Sequence, residues 1–145
     1  MTRAQIPDDR RDRVRQAAGH RCGYCLSPQH LVQGQLEMDH LQPTACGGTD
    51  EEENLWLACR LCNNAKAAQT ECRDPNTGQL MPLFNPRRQS WSDHFVWSDD
   101  GTRILGNTPI GRATIVALQL NNLISVVVRR HWVAAGWHPP SANSG

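Results

Sequence analysis

Two pairs of cysteines in this 145-residue sequence have the spacing of metal ligands. The pairs, each with two intervening residues, are Cys22 with Cys25 and Cys59 with Cys62. A Cys-x-x-Cys turn aims both sulfurs at one ion, and two such turns supply the four thiolates of a tetrahedral structural zinc site. The alternatives are a thioredoxin-like redox pair, which explains one motif and not two, or free buried thiols. The sequence therefore predicts one structural zinc and leaves Cys46 and Cys72 as free thiols.

Side chains suited to hydrolysis lie between and beside these cysteines. Asp39 offers a hard oxygen ligand for magnesium or manganese, and His40, when neutral, can accept a proton from water near physiological pH. Asn63 directly follows the last zinc ligand and could supply a second oxygen ligand, with Asn64 as its competitor. Each of these residues alone also has an ordinary structural interpretation. Because neighbouring residues of an ideal strand point to opposite faces, we expect a strand end or a bulge to re-aim Asp39 or His40.

The net charge of +1 is an average over unlike segments. Residues 1–36 carry +3, residues 37–53 carry −6 without a single base, residues 54–100 are balanced and residues 101–145 carry +4. The 14 arginines outnumber one lysine. This bias suits phosphate contacts, although GC-rich coding produces the same bias without any function. Near-neutrality therefore does not exclude a nucleic-acid partner, and the acids of residues 50–53 fit a solvated loop turned away from DNA.

Length and hydropathy indicate one globular domain outside the membrane. The longest strongly apolar stretch, about residues 123–128, is far shorter than the roughly 20 residues of a membrane-spanning helix. The charged first 13 residues lack the apolar region of a secretory signal. We therefore expect a cytoplasmic protein, and in that compartment six cysteines favour metal ligands or free thiols over disulfides.

The elements that must position these residues follow from caps, turns and periodicity. Predicted helices cover about residues 8–18, 60–70, 108–118 and 122–135, the last two opened by Thr108-Pro109 and by Asn122. Predicted strands cover residues 35–41 and 55–58, with a hairpin over 94–98 and 102–105. A surface loop is expected over residues 73–88 because of its prolines and glycine. Ile115, Leu118 and residues 123–128 are expected to form a core with three tryptophans, Trp91, Trp97 and Trp132.

Taken together, these residues resemble the HNH endonucleases. The resemblance covers about residues 20–70 and is carried by Cys22-x-x-Cys25, Glu37-x-Asp39-His40, Pro43, Gly47-Gly48, Asn54-Leu55, Cys59-x-x-Cys62-Asn63 and Lys66. A later segment resembles the C-terminal extension of small bacterial HNH proteins, through Asn85-Pro86-Arg87-Arg88, Trp91, His94-Phe95, Gly111-Arg112-Ala113-Thr114 and Arg129-Arg130-x-Trp132. The resemblance implies an α+β fold: a ββα-metal finger with a structural zinc, followed by a hairpin and helices. We expect a single domain over residues 1–145, with its core at 20–72 and an extension over 73–140 packed on it.

The resemblance also implies roles for individual residues. His40 would be the general base, Asp39 and Asn63 would ligate a catalytic magnesium or manganese, and Asn54 would bond across the loop to keep His40 aimed. Asn63 stands where the namesake motif has histidine, as in the HNN variant of the family. The expected partner is DNA, most simply double-stranded, and a double-strand break would need a dimer or two binding events. Candidate phosphate contacts are Arg60, Lys66, Arg87, Arg88 and Arg112. Arg129 and Arg130 are further candidates for a surface that follows the DNA backbone. The alternative is a non-catalytic zinc-knuckle protein that binds nucleic acid.

Overall fold

The computed structural model of the chain, which describes residues 5–141, combines five α-helices with three two-stranded antiparallel sheets. The helices are α1 (Asp8–Ala17), α2 (Arg60–Lys66), α3 (Trp91–His94), α4 (Pro109–Leu118) and α5 (Leu123–Ala134). The strands pair as β1 (Glu37–His40) with β2 (Leu55–Ala58), β3 (Glu71–Arg73) with β4 (Leu80–Pro82), and β5 (Phe95–Trp97) with β6 (Ile104–Gly106). The α+β class and the β1–β2–α2 unit predicted from the sequence are confirmed.

The two C-terminal helices begin where their capping residues predict. The Thr108 hydroxyl accepts a hydrogen bond from the amide of Gly111 at 3.0 Å, and proline occupies the first turn of α4. The Asn122 side chain accepts from the amide of Ser125 at 2.9 Å at the start of α5. These contacts satisfy amide groups that have no partner inside the helix, so each helix start is encoded locally.

One hydrophobic core joins the cysteine knuckles to the C-terminal extension. Its buried members come from both halves of the chain: Cys22, Tyr24, Cys25, Ala58, Cys62, Leu83, Phe84, Phe95, Ile104, Ala117, Leu118 and Leu120. Phe84 and Phe95 meet edge to face with ring centroids 5.1 Å apart. A smaller cluster of Ile6, Val14 and Leu55 attaches α1 to the back of β2. The cysteines thus lie inside the packing that holds the extension on the ββα unit.

The chain after α2 differs from its prediction as a helix and a surface loop. The helix ends at Lys66, because Ala67 has a φ of +48° that breaks the helical path. Cys72, just past the predicted helix, lies in β3. The segment expected to be a loop contains β4 and the buried residues Leu83 and Phe84. Local proline and glycine content indicated turns correctly, but the β3–β4 pairing and the burial depend on contacts across the fold.

The sequence predicts that the apolar run at residues 123–128 lies in the core, but in the structure most of this run is exposed. Leu123 is 79% exposed and Ile124 65%, whereas Val126 is buried. The packed face of α5 also carries Arg129, whose guanidinium donates to the carbonyl oxygens of Leu120 at 2.7 Å and Thr102 at 3.1 Å. Arg129, considered from the sequence as part of a DNA-facing surface, is therefore committed to the interior.

Within the described part of the chain, no single helix is long and apolar enough to cross a membrane. Helices α4 and α5 reach the required length and composition only when they are taken together, and they are bent by 106° at the break between them.

Arg112 ties α4 to the turn that joins β3 to β4. Its guanidinium donates to both carboxylate oxygens of Asp74, at 2.8 and 2.9 Å, and this pair holds the pKa of the buried Asp74 carboxyl well below its usual range. We expect Arg112→Met to lower the melting temperature by roughly 5 °C, because the carboxylate stays buried without its partner. A pKa depressed on folding stabilises the protein at neutral pH, and this contribution is lost as the pH falls below about 4. Thermal unfolding of the wild type and of Arg112→Met, compared between pH 7 and pH 3, measures both effects.

The matched control is Arg103→Met, which removes an exposed arginine from the extension. Equal melting temperatures for Arg112→Met and Arg103→Met at pH 7 would contradict a stabilising role for the Arg112–Asp74 pair.

Candidate active site

The four cysteines of the two knuckles converge on one point. Their sulfur atoms all lie within 4.8 Å of one another, and those of Cys25 and Cys59 are 3.7 Å apart. A tetrahedral zinc with zinc–sulfur bonds of about 2.3 Å requires sulfur–sulfur separations of about 3.8 Å. The tetrad therefore has the composition and nearly the dimensions of a closed zinc site, as its spacing predicts. Cys46 and Cys72 lie outside it.

Local backbone geometry prepares each knuckle for this convergence. The amide of Tyr24 donates to the sulfur of Cys22 at 3.5 Å, and the amide of Cys62 donates to the sulfur of Cys59 at 3.4 Å. Cys59 is also the N-cap of α2, so the start of the helix and the metal ligand are the same residue. These amide donors stabilise negative charge on sulfur, which is the form that binds a metal.

The buried tetrad favours a bound cation. Hydrogen bonds from the other thiols, that of Cys22 first, hold the pKa of Cys25 well below its usual value, while burial raises the pKa of Cys22. One sulfur is thus favoured as thiolate while a neighbour retains its proton. A divalent cation allows all four to ionise, because its charge offsets the repulsion between thiolates in a buried space.

Asp39 points from β1 toward α2 and is only 1% exposed. One of its carboxylate oxygens accepts a hydrogen bond from the hydroxyl of Tyr24, and the other accepts from the ammonium of Lys66 at 3.1 Å. The same ammonium donates to the backbone oxygen of His40 at 2.8 Å. Burial raises the pKa of Tyr24 well above its usual value, so its hydroxyl stays a donor. Lys66, considered as a phosphate contact, is instead a buried counter-ion to Asp39.

Asn63 and Asn64 have different surroundings. The Asn63 side chain is half-buried and donates to a carboxylate oxygen of Glu37 at 3.0 Å, whereas Asn64 is exposed. Glu37 and Asp39 are two residues apart on β1 and so share its face toward α2. Asn63, and not Asn64, therefore faces β1, with its side-chain amide against the Glu37 carboxylate.

His40 is the last residue of β1, and its side chain contacts Asp50 at the far end of the loop that follows β1. Its Nε2 lies 2.7 Å from a carboxylate oxygen of Asp50, and the two side chains are 22% and 26% exposed. Of the two alternatives expected, a strand end or a bulge, the structure has the strand end: β1 pairs with β2 in an unbroken register that stops at His40 and Leu55. A regular strand sends Asp39 and His40 to opposite faces, and this is why their hydrogen-bond partners come from different segments.

Asn54 holds the loop between His40 and Asp50 rather than the imidazole itself. Its side chain accepts from the amide of Gln42 at 2.8 Å and donates to the carbonyl oxygens of Gln42 at 3.0 Å and Thr49 at 2.8 Å. It thus bonds across the loop, as the resemblance implies. The direct partner of the imidazole among these contacts is Asp50.

The five candidate phosphate contacts differ in their availability. Arg60, at the start of α2, and Arg88 are exposed. Arg87 donates from two nitrogens to the carbonyl oxygen of Leu55 and lies over the ring of Trp56, while Lys66 and Arg112 are paired with Asp39 and Asp74. Among these five candidates, the exposed guanidinium groups are therefore that of Arg60, on the surface near α2, and that of Arg88, in the extension.

Two residues of this site are missing from the sequence-based candidates, namely Tyr24 and Asp50. Tyr24 occupies a variable position of a Cys-x-x-Cys turn, and Asp50 begins a run of four acids that reads as a solvated loop. The sequence feature that pointed to Asp50 was the unexplained run of acids at residues 50–53, next to residues proposed to bind phosphate. The contact of Asp50 with His40 depends on loop closure, which residue type alone does not indicate.

Residues 22–69 match the family model described as HNH endonuclease. The match begins at the first zinc-type cysteine and ends just after α2, so it includes both knuckles and the whole ββα unit. No curated protein and no solved structure is detectably similar to the chain. The family resemblance inferred from the motifs is thereby confirmed for this third of the sequence.

Proposed function

Because the chain carries an HNH endonuclease domain at residues 22–69, we propose that it is a divalent-metal-dependent endonuclease that hydrolyses phosphodiester bonds of DNA. The observation that supports this most directly is the position of His40 at the end of β1, with its Nε2 2.7 Å from a carboxylate oxygen of Asp50. Its imidazole is partly exposed and oriented by a carboxylate, which suits a base that must reach water.

In this proposal the four-cysteine site holds a structural zinc. Four cysteine thiolates would fill all four coordination positions of a zinc ion, so no position would remain for water or substrate. Its contribution is mechanical, because Cys59 and Cys62 hold the first turn of α2 and thereby the position of Asn63. The zinc thus supports the site without taking part in hydrolysis.

The oxygen groups that β1 and α2 direct toward each other suit a second, hard cation. Asp39 and Asn63 would hold magnesium or manganese, with Glu37 adjacent, since these metals prefer carboxylate, amide and water oxygens. A carboxylate can accept about four hydrogen bonds, so the contacts from Tyr24 and Lys66 leave Asp39 lone pairs for a metal. When bound, such a cation would stabilise the charge that develops on the phosphate and the leaving oxygen.

The remaining steps belong to side chains of the chain itself. His40 takes the proton of the attacking water, while Asn54 keeps the loop from residue 42 to residue 49 closed beside it. Lys66 fixes the end of β1 by donating to the backbone oxygen of His40. Arg60 and Arg88 are the exposed cations we assign to backbone phosphates, as salt-dependent contacts without base specificity.

A second candidate function is a non-catalytic zinc-knuckle protein that binds nucleic acid. One observation favours it: the ammonium of Lys66 already neutralises the buried Asp39, which reduces the attraction of that carboxylate for another cation. The zinc site and the exposed arginines serve this function equally well. The enzyme is preferred because a binder needs neither His40 beside Asp50 nor Asn63 facing β1.

Cleavage of supercoiled plasmid separates the two functions. We expect the wild type to convert supercoiled to relaxed DNA with magnesium or manganese and to stop when EDTA is added. Asn63→Ala should lose most of this cation-dependent cleavage, and the matched control Asn64→Ala should keep it, because Asn63 contacts Glu37 of β1 whereas Asn64 is exposed. A wild-type protein that retards the plasmid on a gel, yet leaves it intact with both cations, would establish the binder and exclude the enzyme.

A further inference from the structure

Asp50 is the part of the site that the family match does not explain. It begins the acidic run at residues 50–53, where negative charge would repel the phosphates of a bound DNA. A carboxylate next to a phosphate site is unfavourable unless it has a specific task. The contact between Asp50 and His40, at 2.7 Å, identifies such a task.

We propose that Asp50 is a positioning residue for His40, which holds the imidazole in the tautomer that carries its proton on Nε2. A carboxylate accepts hydrogen bonds and does not donate them, so the nitrogen that faces it must be the protonated one. The lone pair of a neutral His40 then lies on Nδ1. This inference rests on the proposed function for its catalytic consequence, but the orientation of the ring can be measured without it.

The backbone around Asp50 is held from both sides, as a positioning residue requires. Arg10 of α1 donates to the carbonyl oxygen of Asp50 at 2.5 Å. The residues on either side of Asp50 are both held by Asn54. The side-chain amide of Asn54 donates to the carbonyl oxygen of Thr49, and its backbone amide donates to the carbonyl oxygen of Glu51 at 2.9 Å. The imidazole is therefore oriented by a loop that is itself anchored at three points.

Helix α1 adds a contribution from outside the matched region of residues 22–69. Besides the contact from Arg10, the guanidinium of Arg13 donates to a carboxylate oxygen of Glu52 at 2.7 Å. Val14 packs with Leu55 of β2, so the helix is fixed next to the loop by both charge and apolar contact. The arginine-rich start of the chain and its acidic block thus meet each other, and two of the four acids face internal partners instead of DNA.

A charged acceptor on a base histidine has a known physical consequence. It selects one tautomer, fixes the ring and stabilises the imidazolium that forms when the proton is taken. Loss of the carboxylate or carbonyl partner of a metal-ligating histidine typically costs 10- to 100-fold in metal affinity or activity, and we take the same range for the partner of His40. For Asp50→Ala we expect a fall in kcat of roughly 10- to 100-fold with KM for plasmid changed by less than about threefold.

The ring orientation is tested directly by two-bond proton–nitrogen correlation spectra of the histidine side chains, recorded at about pH 8. His40→Gln assigns the signals. We expect wild type to show the proton on Nε2 of His40, and Asp50→Ala to show a mixture or the opposite tautomer. Asp50→Asn retains an acceptor oxygen without the charge, so it should fall between the two in both tautomer and kcat. The matched control is Glu51→Gln, which removes one exposed charge from the same acidic run and should behave as wild type.

The outcomes separate the positioning role from the nuclease function. An Asp50→Ala protein that keeps the wild-type tautomer and kcat would overturn the proposal. If Asp50→Ala does not fold, Asp50→Asn takes its place, and an unchanged tautomer and kcat in that variant would overturn the proposal. A wild-type His40 that carries its proton on Nδ1 would also overturn it. If the tautomer shifts as expected in a wild type that cleaves no DNA, the orientation by Asp50 stands and the proposed function fails.

Discussion

Replacement of His40 by alanine is expected to reduce plasmid cleavage by roughly 10²- to 10⁴-fold, the usual contribution of a general base. The side chain is 22% exposed, and its removal leaves the β1–β2 pairing, the Lys66–Asp39 pair and the zinc tetrad in place. DNA binding and the melting temperature should therefore change little, and the loss should fall mainly on kcat. Single-turnover nicking at saturating magnesium measures it.

The matched control for this experiment is His30→Ala, which removes an exposed histidine from the short turn at Gln29–Leu31. It should cleave as fast as the wild type, and identical purification of both variants excludes a contaminating nuclease. If His40→Ala cleaves within about threefold of His30→Ala, the assignment of His40 as base is wrong, whatever the metal dependence of the reaction.

Cys62→Ser is expected to abolish stable folding. Structural zinc contributes an apparent 10–16 kcal/mol in small zinc-binding peptides, which is as large as the whole stability of a typical domain, about 5–15 kcal/mol. Cys62 is buried in the core that joins the knuckles to Phe84, Phe95 and Leu118, so loss of the metal should loosen the extension as well as α2. We expect bound zinc to fall from one per chain to well below one and cooperative thermal unfolding to disappear. Metal analysis together with circular dichroism measures both.

Cys46→Ser is the control for this effect, because Cys46 is exposed and lies outside the tetrad. It should keep one zinc per chain and the wild-type melting temperature. A Cys62→Ser protein that melts like Cys46→Ser would show that the fold does not depend on the metal. Well under one zinc per chain in wild-type protein purified without chelator would rule out the four-cysteine site itself.

The parts of this protein that could be predicted from sequence are encoded by residues close together along the chain. A Cys-x-x-Cys turn, the Thr108-Pro109 start of α4 and the Asn122 cap of α5 each depend on contacts within about four residues. The resemblance of residues 20–70 to HNH endonucleases is likewise a matter of order and spacing. It correctly indicated the strand–strand–helix unit and a cluster of four cysteines.

The interpretations that changed depended on which side of an element meets the core. The apolar residues 123–128 are mostly exposed, because the inward face of α5 is shared between Val126 and the buried Arg129. Arg112 and Arg129 looked like DNA contacts, yet their guanidinium groups satisfy internal acceptors. Arginine serves either purpose with the same forked geometry, so its type does not distinguish a phosphate from a buried carboxylate or carbonyl.

Residue type and spacing specify the four cysteines of the tetrad, the candidate base His40 and the starts of α4 and α5. The contacts of Asp50 with His40, of Tyr24 and Lys66 with Asp39, and of α1 with the acidic loop arise only in the folded chain. The first group depends on spacing over a few residues, which the backbone enforces directly. The second depends on segments 10 to 40 residues apart being brought together by burial and charge pairing, and no local pattern specifies where such segments meet.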